Sequence, residues 1–494
     1  MPHVTRRRFL QAACAGAAAC ALPACMTSAR AASAAGAERS SPNVVLIFTD
    51  DQGYQDVGCF GSPLIRTPNL DRMAAEGARF TNFYVAASVC TPSRSALMTG
   101  CYPQRINMNV QPRRAGGKLR PGGVVLFPNS PGGLHSNEIT LAEVLKSRGY
   151  ATACVGKWHL GHLPQFLPMR QGFDSYFGIP YSNDMRIKKD GKAGPPLMRG
   201  EKVVEHPANQ DTLTRRYTEE ACRFIRDHKD EPFFVYLPHS MPHIPIHASE
   251  RFRGKSRRGL YGDVIEEIDW GVGQVLATLK ACGVDKQTLV IFTCDNGPWI
   301  RFGERGGSAL PLRDGKGTIY EGGMREPCIM RWPGRIPAGT VCGEVATTMD
   351  LMPTIARLAG TREPQDRVID GRDIWPLMSA KPDATSPHEA FYYYPKCNTV
   401  PMAVRCGKWK YHKAGRRYRT WQDEKGKWIH RLVDCPDELY DLEADVAEST
   451  NLAEKHPDIA KRLAKRLEAF DADLKAHSRP SGPPGDLASS PASG

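Results

Sequence analysis

Residues 43–53, NVVLIFTDDQG, set five apolar side chains, Val44 to Phe48, one threonine short of two aspartates. An unbroken, β-branched-rich apolar run reads as a strand covered on both faces. The same grammar recurs three times. YATACVGKWH (150–159) ends in Lys157 and His159, PFFVYLPHSMPH (232–243) in His239 and His243, and TLVIFTCDNG (288–297) in Asp295 and Asn296. Helical patterns lie between them: TPNLDRMAAEGARF (67–80), ITLAEVLKSRGY (139–150), LTRRYTEEACRFIRDH (213–228) and YGDVIEEIDWGVGQVLATLKACG (261–283). Alternating strands and helices predict an α/β fold with a large, mostly parallel sheet flanked by helices. Such sheets bind ligands beyond the carboxyl ends of their strands. Four strands that each deliver ionisable side chains at that end predict one site on one rim.

Working outward, the 494 residues hold one large domain and one small one. Residues 1–31 read as a twin-arginine signal segment: Arg6, Arg7 and Arg8 precede Phe9, Leu10 and an alanine-rich apolar stretch. This predicts an exported protein, periplasmic or extracellular, with the twin-arginine exporter as a partner. Leu22-Pro23-Ala24-Cys25 also resembles a lipoprotein box, which would make Cys25 a lipid anchor. Residues 32–42 form a linker, 43–384 the catalytic domain, 385–478 a smaller subdomain with an antiparallel sheet and a helix, and 479–494 a disordered tail. The Gly/Pro/Arg-rich stretches 111–133 and 186–210 read as loops.

Net charge is +13, and removing 1–31 takes away four arginines and no acid, leaving +9. That excess suits a polyanionic substrate, or simply a solvated basic surface. No recognition helix, zinc finger or single-strand aromatic motif supports nucleic acid. Mean hydropathy is −0.42, and beyond the N-terminus no run nears the roughly 20 apolar residues of a spanning helix. Three of the 15 cysteines lie in the signal; the other 12 show no CxxC pair or zinc spacing.

In SVCTPSRSALMTG (88–100), Pro92 suits a helix first turn and Gly100 its end, which puts Cys90 at the helix N-terminus and Arg94 on the same face. Backbone N–H groups there favour negative charge. CTPSRSALMTG resembles the C-x-P-S-R…TG signature of type I, formylglycine-dependent sulfatases. The resemblance extends through NVVLIFTDDQG, VGKWHLG (155–161), GFDSYFG (172–178), GKGTIYEGGMREP (315–327) and LYDLEADVAESTNLA (439–453), nearest to the arylsulfatase A and N-acetylgalactosamine-6-sulfatase branches.

The resemblance implies an alkaline-phosphatase-like fold and hydrolysis of sulfate esters of a carbohydrate or aryl alcohol. Cys90 would be oxidised by a maturase to formylglycine, whose hydrate attacks sulfur. Asp50, Asp51, Asp295 and Asn296, with residue 90, would hold a divalent cation; an all-oxygen set suits Ca²⁺, or Mg²⁺. Arg94 and Lys157 would bond the formylglycine oxygens, and His159 would take the proton that lets sulfate leave. Lys316 would contact sulfate and the leaving oxygen. His243 would protonate the leaving group, with His239 behind it or on the substrate. Alternation along a strand would put 157 and 159 on one face. Cys59, Cys101 and Cys294, near the motifs, read as buried packing residues. Two alternatives remain at this point: a phosphatase or phosphonate hydrolase of the same superfamily, and a catalytically inactive, polysaccharide-binding relative.

Overall fold

The computed structural model describes residues 41–115, 118–185, 187–189, 192–396 and 399–479. The stretch read as a signal segment, Cys25 as its candidate lipid-anchor site and most of the expected linker lie outside the described residues, as does the expected tail beyond Arg479, which itself pairs with Glu138 at 2.7 Å.

The apolar runs form the middle of an 11-stranded sheet. Its strands in chain order are β1 (Asn43–Thr49), β2 (Ala78–Tyr84), β3 (Ala151–Val155), β4 (Ser175–Gly178), β5 (Leu197–Arg199), β6 (Lys202–Glu205), β7 (Phe233–Pro238), β8 (Thr288–Cys294), β9 (Arg325–Arg331), β10 (Thr340–Cys342) and β11 (Ala346–Thr347). Their spatial order is β6-β5-β4-β3-β7-β1-β8-β9-β2-β10, with β11 also on β2. From β4 to β8 five neighbours run parallel. Antiparallel strands β5 and β9 flank this centre. The four strands that carry the candidate residues, β3, β7, β1 and β8, are therefore consecutive neighbours.

Period-two alternation splits β1 between two cores. Val44, Leu46 and Phe48 enter one, Val45 and Ile47 the other, and all five are fully buried. Each such side chain contributes roughly 1.5–3 kcal/mol. Helices cover both faces: α1 (Pro68–Ala75), α4 (Leu213–Asp227) and α5 (Leu260–Ala281) on the Val45 side, and α2 (Cys90–Thr99), α3 (Leu141–Lys146) and α6 (Leu351–Leu358) on the other. Local chemistry sets their ends. Thr140 accepts from the Glu143 amide while the Glu143 carboxylate accepts from the Thr140 amide, a capping box for α3. Gly100 ends α2 at φ 69°, where a side chain would be strained.

Three expectations change. The pattern 67–80 is helical only to Ala75; Ala78–Tyr84 is β2, which pairs antiparallel with β9 across a register shift between Phe80 and Phe83. The glycine-rich stretch 111–133 contains a hairpin, Gln111–Ala115 with Lys118–Gly123. The stretch 186–210 contains a short hairpin and edge strands β5 and β6. Pro112, Pro121 and Gly194 lie within these paired strands rather than in open loops.

The C-terminal part builds a four-stranded antiparallel sheet from β12 (Phe391–Tyr393), β13 (Ala403–Cys406), β14 (Trp409–His412) and β17 (Glu438–Asp441), covered by α7 (Pro457–Ala476). A separate hairpin, β15 (Gly415–Gln422) with β16 (Trp428–Cys435), branches from it. A buried ion cluster fastens this sheet to the catalytic domain. Lys410 lies 2.9 Å from both Glu321 and Glu448, and Glu321 also accepts from Tyr84 and Tyr393.

Removing one partner of a buried ion pair leaves an uncompensated charge. Lys410→Met is therefore expected to lower unfolding stability by about 3–5 kcal/mol, read from urea denaturation. A loss below about 1 kcal/mol would show that the cluster does not hold the two parts together.

Candidate active site

The carboxyl ends of β1, β3, β7 and β8 converge on one buried polar centre. Asp50 and Asp51 follow β1, and Asp295 and Asn296 follow β8; all four are at most 2% exposed. Asp51 turns the chain sharply, at φ 63°, a left-handed conformation costing roughly 1–2 kcal/mol. Its amide donates to Asp295 Oδ1 at 3.2 Å, and Asn296 Nδ2 donates to Asp51 Oδ1 at 2.7 Å.

Three cations answer the carboxylates. Arg94 donates Nε to Asp295 Oδ2 at 2.9 Å and Nη1 to the Lys157 carbonyl at 3.0 Å, and its Nη2 lies 2.8 Å from the same Asp295 oxygen as an ion pair. Lys157 Nζ donates to Asp50 and, at 3.2 Å, to Ser182. Lys316 Nζ lies 2.6 Å from Asp51. Burial opposes ionisation of Asp50, yet Lys157, Arg94 and Lys316 hold it well below the usual carboxylate range. Burial, with Asp50 next to it, instead pushes Asp295 up to about 7.

Asp50, Cys90 and Asp295 each offer an atom within 4.8 Å of the others, as do Asp50, Asp51 and His243. Asp50 Oδ1 and Asn296 Oδ1 are buried without a hydrogen-bond partner. Buried acceptors left unpaired are costly. A hard divalent cation satisfies them with oxygen ligands, so the residues present fit one.

Cys90 opens α2 and is 3% exposed; Val89 before it has no capping side chain. Burial pushes its thiol up to about 11, although Lys157 and Lys316 act against this. As a thiol, residue 90 is protonated and a weak nucleophile at neutral pH.

Lys157 and His159 lie beyond the end of β3, so strand alternation does not align them. Gly156 at φ 136° and His159 at φ 59° bend the chain instead. A Cβ on Gly156 would lie 1.8 Å from the Pro238 carbonyl, so only glycine permits this bend. His159 Nε2 donates to the Leu126 carbonyl at 2.9 Å, leaving Nδ1 without a partner among the described residues. Burial, then Lys157 and Arg94, holds this ring well below its ordinary range, so it is neutral. His243 is anchored the other way: Nδ1 donates to the Ile244 carbonyl at 2.5 Å, and Nε2 lies 3.6 Å from Asp51. Burial and Lys316 also lower its pKa.

A cavity of about 290 Å³ opens above, lined by Cys90, His159, His243 and Lys316. Arg94 and Lys157 sit beneath it, on the carboxylates. His239 lies outside its lining, with its ring 6.3 Å from Tyr217. Cys294 is buried and accepts from the Gln52 amide at 3.1 Å, Cys101 is buried, and Cys59 is only half-buried. The sequence reading passed over Trp299, Arg301, Lys396 and His430, which line the cavity mouth. Their signal was faint: single residues outside every quoted motif, with His430 inside strand Trp428–Cys435.

Comparison with known proteins gives a consistent picture. The sulfatase family profile matches residues 42–361, and that of the N-sulphoglucosamine sulphohydrolase C-terminal region matches 314–473. Human arylsulfatase A is 40% identical over 466 residues, covering 88% of each chain. Mouse N-acetylgalactosamine-6-sulfatase is 43% identical over 415 residues, 82% of this chain and 76% of that protein. Among solved structures, PsFucS1 sulfatase from Pseudoalteromonas sp. superposes with a TM-score of 0.76 at 27% identity, covering 90% of this chain and 92% of that one. Ps i-CgsB in complex with k-i-k-neocarrahexaose gives 0.74 at 28%, covering 90% and 96%.

Chelator-treated protein is expected to gain thermal stability when Ca²⁺ or Mg²⁺ is added, by about 2.7 kcal/mol at a hundredfold excess over the dissociation constant. Asp50→Asn and Asn296→Ala should each shrink that gain. An unchanged melting curve on metal addition would exclude a cation at this centre.

Proposed function

Because the chain belongs to the sulfatase family and hydrolyses sulfate esters, we propose that it is an exported carbohydrate sulfatase that uses formylglycine at position 90 and a Ca²⁺ ion. The observation that carries this reading is the placement of Cys90, buried at a helix N-terminus between an all-oxygen acceptor set and the cavity holding His159, His243 and Lys316. A thiol pushed up to about 11 is poorly suited to attack sulfur, which favours its conversion. Export is supported by the N-terminal Arg6-Arg7-Arg8 segment, which also calls for the twin-arginine exporter; conversion calls for a maturase. Carbohydrate is favoured by the basic net charge and by the likeness to a structure holding a neocarrahexaose.

Asp50, Asp51, Asp295 and Asn296 would hold the cation, which supplies positive charge to a sulfate oxygen and to residue 90. Hydrated formylglycine supplies one hydroxyl as nucleophile and a second whose deprotonation releases sulfate. The chain's own residues do the rest. Arg94 and Lys157 lock Asp295 and Asp50 in place and add positive charge beneath residue 90. Lys316, buried beside Asp51 and open to the cavity, neutralises charge on sulfate and on the departing oxygen. His159 is neutral with Nδ1 bare, so it accepts a proton there. His243, tied through Nδ1, presents Nε2 to the cavity, takes up a proton there from solvent and, as the imidazolium, delivers it to the leaving oxygen.

Two experiments test this. Intact-mass analysis of protein co-expressed with a maturase should show the thiol of Cys90 replaced by an aldehyde, and Cys90→Ala should abolish 4-nitrophenyl sulfate turnover in a folded protein. Retention of the thiol together with full activity would refute the formylglycine reading. His243→Ala should cost about 10²–10⁴-fold in kcat on saccharide sulfates, whose alkoxide leaves poorly, and under tenfold on 4-nitrophenyl sulfate. Equal losses would rule out leaving-group protonation by His243.

A further inference from the structure

Four side chains that no proposed catalytic step uses crowd the mouth of the cavity: Trp299 and Arg301 after β8, and Lys396 and His430 from the C-terminal part. They are held in place. Lys396 Nζ lies 3.0 Å from His430 Nε2 and 3.7 Å from the centre of the Tyr418 ring. An ammonium only donates, so His430 Nε2 accepts, and its Nδ1–H goes to Thr420 Oγ1 at 2.9 Å. The His430 ring also stacks on Tyr418. Burial, Lys396 and Arg301 push His430 down to about 4, so the imidazole is neutral and the charge at the mouth belongs to lysine and arginine.

These residues are fixed relative to the sulfate end of the cavity. The Thr420 amide donates to Asp314 Oδ2 at 2.9 Å, tying hairpin β15–β16 to the loop that carries Lys316. A Cβ on Gly317 would sit 3.3 Å from Lys396 Nζ. Trp299 carries two cations: Lys316 Nζ at 4.4 Å and the Arg301 guanidinium at 4.6 Å from its ring. Lys316 is spent on Asp51 and the scissile group. Arg301 is exposed and makes no ion pair among the described residues. A second anion arriving with the substrate would meet Arg301 and Lys396 while its sulfate meets Lys316.

We propose that Arg301 and Lys396 form a second anion subsite at the cavity mouth, so that the enzyme prefers sulfated saccharides carrying a further carboxylate or sulfate group. This rests on the carbohydrate-sulfatase reading above and sharpens its substrate class. Indole-stacked and tyrosine-stacked cations are partly shielded from water, which strengthens their pull on an anion. Two anionic groups on one sugar ring or on neighbouring rings can engage Lys316 and the mouth together.

The test is kcat/KM on saccharides that share one scissile sulfate and differ in the second group: neutral, uronate or sulfate. Wild type is expected to favour the doubly charged substrates, mainly through KM, and raised salt should erode the preference. Arg301→Gln and Lys396→Gln should each cut the preference roughly three- to tenfold. Arg301→Gln removes an exposed group that makes no hydrogen bond among the described residues, so its folding is not at issue. A preference confined to the uronate or to the second sulfate would support the subsite and identify its ligand. Equal turnover of neutral and charged saccharides by wild type, unchanged in both variants, would overturn the subsite and leave the sulfatase reading standing. Turnover of 4-nitrophenyl sulfate but of no saccharide would overturn the carbohydrate reading, and the subsite with it.

Discussion

The structure depends on the mutual neutralisation of charges buried where the parallel strands end. Asp50, Asp51 and Asp295 face Arg94, Lys157 and Lys316, and none of the six is open to solvent to any large extent. Each isolated ion taken from water would cost several kcal/mol, so the set is tolerable only complete. Completeness demands register. β1 pairs in step with β7 and β8, Leu46 opposite both Tyr236 and Ile291. A one-residue slip of β1 would exchange its two cores and carry Asp50 away from Lys157 and Arg94. The continuous apolar runs therefore do more than fill the interior; they aim the charges.

Within this frame the two cavity histidines differ through their anchors alone. His159 gives its Nε2 hydrogen to the Leu126 carbonyl and leaves Nδ1 bare; His243 gives its Nδ1 hydrogen to the Ile244 carbonyl and leaves Nε2 bare. Both rings are held neutral by burial and neighbouring cations. Opposite tautomers put one accepting nitrogen on each side of residue 90's cavity. In the proposed reaction that separation divides the labour: His159 accepts a proton from residue 90, and His243, once protonated at Nε2, donates one to the leaving oxygen. His239, on the same strand end as His243, sets its ring against Tyr217 and has no place in the cavity lining.

The strand-end grammar made the central sheet and the deep half of the site legible. Asp50, Lys157, His243 and Asp295 each follow an apolar run, and a run buried on both faces can occupy only the middle of a sheet. The short elements were less legible. β2 hides inside a helical pattern because Ala75 and Glu76 extend the helix signal up to a glycine, and only pairing with β9 decides the outcome. The cavity mouth was illegible for a different reason. His430 is brought beside Gly317 by a hairpin docked across the chain and Lys396 by the segment after β12, and no local periodicity encodes that contact. Motifs record residues bound to invariant chemistry; a rim assembled by tertiary docking leaves no comparable pattern.

That docking makes residues 313–325 the hinge of the argument. Arg313 donates to Tyr440 at 3.0 Å, Asp314 holds the β15–β16 hairpin through Thr420, and Lys316 reaches Asp51. The Gly317 amide donates to the Ser88 carbonyl at 2.9 Å, just before the helix of Cys90. Five residues past Lys316, Glu321 sinks into the cluster with Lys410, Tyr84 and Tyr393. One short segment thus binds the residue-90 helix, the aspartate centre and the C-terminal sheet at once. A C-terminal part fastened here cannot drift without moving Lys316. The hairpin that shapes the mouth is consequently rigid with respect to the scissile group, which a subsite must be if it is to read one anion at a fixed distance from another.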